Sequence, residues 1–175
     1  MKAIRNMAFT ALLTIGTFSL ITYTSCNKDE CKDVVCQNGG TCNADTGDCL
    51  CASGYEGDQC ETKVNAKFTG TWLATETCGT VESTPYQVII VADPSNPNKV
   101  QITNLGDYGC DVGTGSPVAI TFVGDIKNST ELSILDVNCD TKLTAEGSYN
   151  NGTITIKYTA EYGSNTDVCE VTLTK

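Results

Sequence analysis

The chain contains no histidine. Its absence removes the commonest general base and the imidazole metal ligand. Nor is there a C-x2-C pair at finger spacing, so a zinc site is not expected. Basic residues are few, 11 Lys and Arg against 21 Asp and Glu, and the net charge is −10. Without a basic patch, neither nucleic acid as a partner nor anionic lipid as a docking surface is expected. Helical periodicity is missing as well, since no stretch keeps an apolar period of 3.6 over three turns. Beyond the first 25 residues, no apolar run approaches the ~20 residues that a membrane span needs. Carboxylates are present but scattered: Asp107, Asp111, Asp125, Asp136, Asp140, Glu146, Glu161 and Glu170 fall among turns and solvent-facing positions. Asp45-Thr46-Gly47 spells the aspartic-protease triplet once, whereas a proton-sharing dyad needs two carboxylates. It reads as a turn. No catalytic residue emerges, and an enzyme is not expected.

What the sequence has in quantity is cysteine, 11 residues in all. The N-terminal segment explains why the count is odd. Lys2 and Arg5 make a basic start, the run Met7–Tyr23 carries no charge, and the small residues Thr24 and Ser25 precede Cys26. This is the pattern of a secretory signal peptide over residues 1–25. A cysteine directly after the signal resembles the lipobox of bacterial lipoproteins, although Tyr23 stands where that family usually has Leu. The resemblance implies that Cys26 is acylated, with chains such as palmitate, and becomes the first mature residue. With Cys26 assigned to lipid, the other ten cysteines can pair as five disulfides in an oxidising compartment. Several acyl chains hold firmly because each buried methylene contributes about 0.8 kcal/mol. Loss of Lys2 and Arg5 with the leader takes the charge from −10 to −12. Residues 26–30 then form a lipidated tether. Its Asn27-Lys28-Asp29-Glu30 resembles the export signal of surface lipoproteins in the Bacteroidetes, which implies a lipid-anchored protein of the cell outer membrane facing the exterior.

From Cys31 to Cys60 the spacing is C-x4-C-x5-C-x6-C-x-C-x8-C. Thirty residues with few large apolar side chains cannot bury a sufficient core, so cross-links must supply the order at about 2–4 kcal/mol each. Six cysteines alone allow fifteen pairings. Gln37-Asn38-Gly39-Gly40-Thr41-Cys42 and the hairpin Cys51-Ala52-Ser53-Gly54-Tyr55-Glu56-Gly57-Asp58-Gln59-Cys60 resemble the EGF-like domain. That resemblance implies Cys31–Cys42, Cys36–Cys49 and Cys51–Cys60. Some EGF-like domains bind calcium through oxygen ligands before the first cysteine, which makes Asn27, Asp29 and Glu30 the candidates here. The aromatic that accompanies such ligands between the third and fourth cysteines is missing from Asn43–Asp48, and Asn27 abuts the anchor. No cofactor is therefore expected.

After a linker at residues 61–66, residues 67–175 change character. Runs with period-two apolar alternation are expected as strands near Thr71–Thr77, Tyr86–Ala92, Lys99–Leu105, Val118–Val123, Glu131–Val137, Leu143–Tyr149, Thr153–Ala160 and Val168–Thr174. Turn chemistry separates them at Asp93–Asn98, Gly113–Gly115 and Asn150-Asn151-Gly152. Eight short strands with short links suggest an antiparallel up-and-down β-barrel, with a two-sheet β-sandwich as the alternative. Phe68-Thr69-Gly70-Thr71-Trp72 resembles the G-x-W opening of lipocalin-like domains, where the tryptophan closes the barrel floor. Closing a barrel sets the first strand beside the last, which pairs Cys78 with Cys169 and leaves Cys110 for Cys139. Two other pairings are open on the sequence alone.

Two functions fit these residues. One is a non-catalytic surface module for adhesion or recognition, with an extracellular protein or glycan as partner and the membrane held through the N-terminal lipid. The alternative is a barrel that carries a small apolar ligand. Ile, Val and Phe recur at inward positions, and the domain is short, so a filled interior is expected. The anchor is testable directly. Cys26→Ser expressed in a bacterial host moves from the membrane to the soluble fraction, and retention with unchanged mobility refutes acylation.

Overall fold

A computed structural model describes residues 30–113 and 115–175. The expected signal peptide, Cys26, Asn27 and Asp29 lie outside the described residues. Two small antiparallel hairpins make the cysteine-rich module: β1 (Thr41–Cys42) pairs with β2 (Cys49–Leu50), and β3 (Tyr55–Glu56) with β4 (Thr62–Lys63). Their order comes from three disulfides, Cys31–Cys42, Cys36–Cys49 and Cys51–Cys60. The Asn-Gly-Gly turn has a packing reason. Asn38 Nδ2 donates to the Cys60 carbonyl at 2.7 Å, and a Cβ on Gly40 would meet Cys60 Sγ at 2.8 Å.

Residues 61–66, expected as a linker, are folded. β4 completes the second hairpin, Val64 N–H donates to Gly54 O at 3.0 Å, and a 3-10 turn at Val64–Lys67 runs straight into Phe68. The turn Asp93–Asn98 meets this joint. Asn65 Nδ2 donates to Lys99 O at 3.0 Å, Asn98 Nδ2 to Ser53 Oγ at 3.0 Å, and Pro97 packs at Gly54. Asp93 shapes that turn. The Ser95 hydroxyl and the Ser95 and Asn96 amides donate to its carboxylate, and these bonds, the hydroxyl first, hold its pKa below the usual carboxylate range. Lys67 closes the joint with an ion pair to Glu56 at 2.7 Å.

The remaining strands are β5 (Gly70–Cys78), β6 (Val81–Glu82), β7 (Tyr86–Ala92), β8 (Lys99–Thr103), β9 (Gly109–Cys110), β10 (Val118–Ala119), β11 (Thr121–Ile126), β12 (Glu131–Asn138), β13 (Thr141–Asn150), β14 (Thr153–Tyr162) and β15 (Asn165–Thr174). β5, β7, β8, β11, β12, β13, β14 and β15 follow one another around a single antiparallel sheet, and β15 pairs back onto β5. The result is a closed barrel of eight strands, not the β-sandwich alternative. β6 continues the first hairpin beside β5, and β9 pairs with β10 inside the crossing between β8 and β11. No α-helix occurs among the described residues.

Period-two phase places the core. Trp72, Ala74, Val88, Ile90, Val100, Ile102, Phe122, Leu132, Ile134, Leu143, Ile154, Ile156, Val171 and Leu173 all point inward and are buried. Each large apolar side chain removed from water contributes about 1.5–3 kcal/mol. Gly124 and Gly147 share this inward phase, and a Cβ on Gly147 would meet Leu132 Cγ at 2.9 Å. At one end Trp72, only 1% exposed, donates its indole N–H to Phe68 O at 2.8 Å. Phe68 packs on Tyr149, and Lys175 Nζ sits 4.5 Å from the Trp72 ring, so this floor beside the cysteine-rich module is sealed.

Two expected strands differ in the structure. The one near Lys99–Leu105 stops at Thr103, because Asn104 turns to the left-handed region at φ +69°. The one near Val118–Val123 is interrupted at Ile120, where its two parts join different sheets. The ladder between β11 and β12 is also partial. Beyond Gly124 and Ile134, Asp136 reaches sideways to accept from Val123 N–H at 2.8 Å and Val137 N–H at 2.9 Å, while Asn138 Nδ2 donates to Thr121 O at 2.7 Å. Side chains thus stand in for backbone partners that cannot be left unpaired.

Two further disulfides, Cys78–Cys169 and Cys110–Cys139, tie the end opposite the floor. They span 91 and 29 residues. Loop-closure entropy makes the longer cross-link worth about 1 kcal/mol more. Urea unfolding of the double alanine variants tests this, with the larger loss expected for Cys78→Ala/Cys169→Ala; an equal or reversed order refutes it.

Candidate functional site

The distal end of the barrel, opposite the cysteine-rich module, carries the polar chemistry of the interior. The phase that buries Trp72 and Ala74 on β5 also sends Glu76 inward, and Glu76 is 6% exposed. Tyr158 from β14 donates its hydroxyl to Glu76 Oε1, and Tyr86 from β7 is the second phenolic partner of that carboxylate. One layer further out, Asp167 from β15 accepts from Tyr108 at 3.0 Å and from Tyr162 at 2.8 Å. Tyr108 packs edge-on against Tyr158 and tilted against Tyr162.

The segment Asn104–Gly109, between β8 and the Cys110–Cys139 disulfide, covers this end. Leu105 is buried, and Gly106 N–H donates to the Tyr86 hydroxyl at 3.0 Å. Asn104 N–H donates to Ile120 O, and Asn104 Nδ2 to Gln87 O. Gly106 is required by geometry: its φ is +79°, and a Cβ there would lie 2.3 Å from Tyr108 Cε2 and 2.8 Å from the Tyr158 hydroxyl.

Electrostatically the site is acidic and lacks a counter-ion. The ion pairs among the described residues are Lys67–Glu56, Lys99–Asp125, Lys127–Glu146, Lys142–Glu161 and Lys157–Glu170, none of which includes Glu76, Asp107 or Asp167. Burial raises the Glu76 pKa, and the nearby Asp107 and Asp167 charges add to the rise against the Tyr158 and Tyr86 hydrogen bonds. Burial likewise pushes Tyr86, Tyr108 and Tyr158 above the ordinary phenol range, so they act as neutral donors.

A carboxylate oxygen of Glu76 and the sulfurs of Cys78 and Cys169 lie within 4.8 Å of one another. The two sulfurs are bonded to each other, so neither is a thiolate ligand. Of the calcium candidates, Glu30 is exposed beside Gly47, while Asn27 and Asp29 lie outside the described residues. The carboxylates named from the sequence do not converge. Asp125, Glu146, Glu161 and Glu170 serve outer-face ion pairs, Asp136 bridges the seam between β11 and β12, and Asp111 caps Gly113 N–H. Only Asp107 stands at the distal cluster. Glu76 and Asp167 escaped notice, yet the signal was present: Glu76 is in phase with Trp72, and Asp167 with Cys169 and Val171. Gly106→Ala should lower stability by about 1–3 kcal/mol, through positive-φ strain and displacement of the segment from the barrel. Chemical denaturation measures it, and an unchanged midpoint shows that the seating is not as described.

Comparison with known proteins bears on the two parts unequally. No curated protein matches the chain. A redesigned β-barrel shares 14% identity at a TM-score of 0.46, covering 64% of this chain and 94% of that one. A protein of unknown function from Bacteroides ovatus shares 11% identity at a TM-score of 0.41, covering 59% and 40%. Residues 26–60 match the EGF-like domain family, and that N-terminal module is an EGF-like domain joined to a C-terminal β-barrel.

Proposed function

We propose that this chain is a lipid-anchored, surface-exposed lipoprotein of the outer membrane. In this reading it is a non-catalytic adhesion or recognition module that engages an extracellular protein or glycan through its distal loops. The filled interior of the barrel carries the reading. Phe122, Ile102, Ile134, Leu143, Ile156 and Val171 are completely buried where a carrier would keep a lumen. Trp72 seals the floor in the manner of lipocalin-like barrels, and Leu105 with Tyr108 occupies the opposite end. What such a barrel offers a partner is its rim and outer surface.

The arrangement of the two domains supports the same reading. The EGF-like module contacts the floor side through Ser53, Gly54 and Glu56, and an anchor at Cys26 would lie at its N-terminal end. The barrel's distal loops then face away from the anchored end, on a spacer that three disulfides make rigid. The absence of histidine and the separated outer carboxylates favour binding over catalysis.

Fluorescent fatty-acid probes test the choice between module and carrier. The purified protein is expected to show no saturable binding, with Trp72 emission blue-shifted before any ligand is added. Saturable displacement of a probe by a lipid at micromolar concentration overturns the packed-module reading in favour of a carrier of small apolar ligands.

A further inference from the structure

The distal end of the barrel closes over a buried carboxylate without a counter-ion, with the Tyr86 and Tyr158 phenols between it and the segment above. Asn104–Gly109 is held over the distal end by the Asn104 anchors, the buried Leu105, the Gly106–Tyr86 hydrogen bond, Tyr108 on Asp167, the Ile120 N–H bond to Tyr108 O, and at its far end the pairing of Gly109 with Ala119. Three of its residues, Asn104, Gly106 and Asp107, have positive φ, at +69°, +79° and +53°. Beyond Gly109 the Cys110–Cys139 disulfide fixes the chain, so motion is confined to this short stretch. Beneath it, Tyr86 accepts from Gly106 N–H, and the Tyr158 hydroxyl that donates to Glu76 lies directly under Gly106.

We propose that Asn104–Gly109 is a pH-gated flap over the distal end of the barrel, closed while Glu76 is protonated and lifted when Glu76 ionises. Every element packed around Glu76 contributes to the gate. Tyr158 on β14 donates to it, Tyr86 on β7 is a phenol beside it, Asp167 on β15 and Asp107 on the flap repel its charge, and the Cys78–Cys169 sulfurs beside it do not titrate. Closing buries the carboxyl, and closing also brings the Asp107 charge toward it. Both effects disfavour the ionised form in the closed state, whereas opening returns Glu76 to water. Protonation therefore favours closure, and ionisation favours opening. This raised pKa in the closed state supports the gate, which stands on the geometry of the flap and its contacts. The gate rests on the distal-loop reading for its consequence alone: a lifted flap presents Leu105 and Tyr108 at the rim where a partner would dock.

Linkage fixes the sign and size. Between the Glu76 pKa of the open form and that of the closed form, the open population rises about tenfold per pH unit, then levels off. Hydrogen exchange on the full chain, expressed as protection factors, reads this from about pH 5 to about pH 8. Gly106 and Asn104 amides should lose protection as pH rises, while the Ile156 and Val171 amides, in the same sample, hold theirs. In Glu76→Gln the flap amides should stay protected throughout. Asp107→Asn, an exposed change that keeps Glu76, should open less than wild type at the upper end. Flap protection that is independent of pH in the wild type overturns the proposal. So does an undiminished pH response in Glu76→Gln or in Asp107→Asn. None of these outcomes depends on whether a partner binds, so the gate can fail while the recognition reading survives.

Discussion

Pairing of β15 against β5 is the constraint from which the rest of the molecule follows. The register sets Cys169 opposite Cys78, Val171 opposite Glu76 and Leu173 opposite Ala74. Each strand has a period of two, so this single alignment decides the face of every residue around the ring. A slip of one residue on β15 would turn Glu170 and Thr172 into the interior and Val171 and Leu173 out to solvent. It would also carry Cys169 away from Cys78. Closure pairs each long strand of the barrel on both sides, with side chains completing the partial seam between β11 and β12, the form in which a sheet is least exposed to pairing with other chains.

The same closure gives the barrel two unlike ends. Toward the EGF-like module the interior finishes in Phe68, Trp72 and Tyr149, with Lys175 laid over the indole. That end is apolar, and its indole N–H is satisfied by Phe68 O. The joint is continuous because β4 and the 3-10 turn at Val64–Lys67 lead directly from the last EGF hairpin to the floor. A module with almost no apolar core of its own is thereby held by disulfides on one side and by the barrel on the other.

Toward the far end the interior becomes acidic and phenolic. Glu76 occupies a position that an apolar residue could fill, and burying a carboxyl there costs stability unless it is neutral or fully hydrogen-bonded. Sequences usually break local rules of this kind at places that do something besides hold the fold. Tyr86 and Tyr158 hold the carboxylate, and Gly106 lets the covering segment approach both. The seam between β11 and β12 carries a related departure. There Asp136 and Asn138 replace ladder bonds with side-chain bonds, beside the turn that holds Cys139.

Much of this was legible in the residues. The cysteine spacing and the turns around Asn38–Gly40 and Gly54–Gly57 mark an EGF-like module because a stretch with so little apolar surface must be ordered by cross-links and special turns. Period-two alternation located the main strands, since one face of each is buried and the other wet, and Asn151-Gly152 marked its hairpin through positive φ at both residues. Strand count and short links pointed to a closed meander, and closure in turn brought Cys78 to Cys169. Tertiary structure alone decided the rest. Glu76 and Asp167 lie far apart in sequence, on β5 and β15, and only the register brings them near Tyr86, Tyr108, Tyr158 and Tyr162. Local pattern could give their inward phase but not their neighbours. The stop at Thr103 and the path of Asn104–Gly109 over the barrel mouth likewise depended on a partner, the Tyr86 hydroxyl, that no local run of residues reveals. Alternation is a property of one strand, whereas a site is a property of the strands that closure sets side by side.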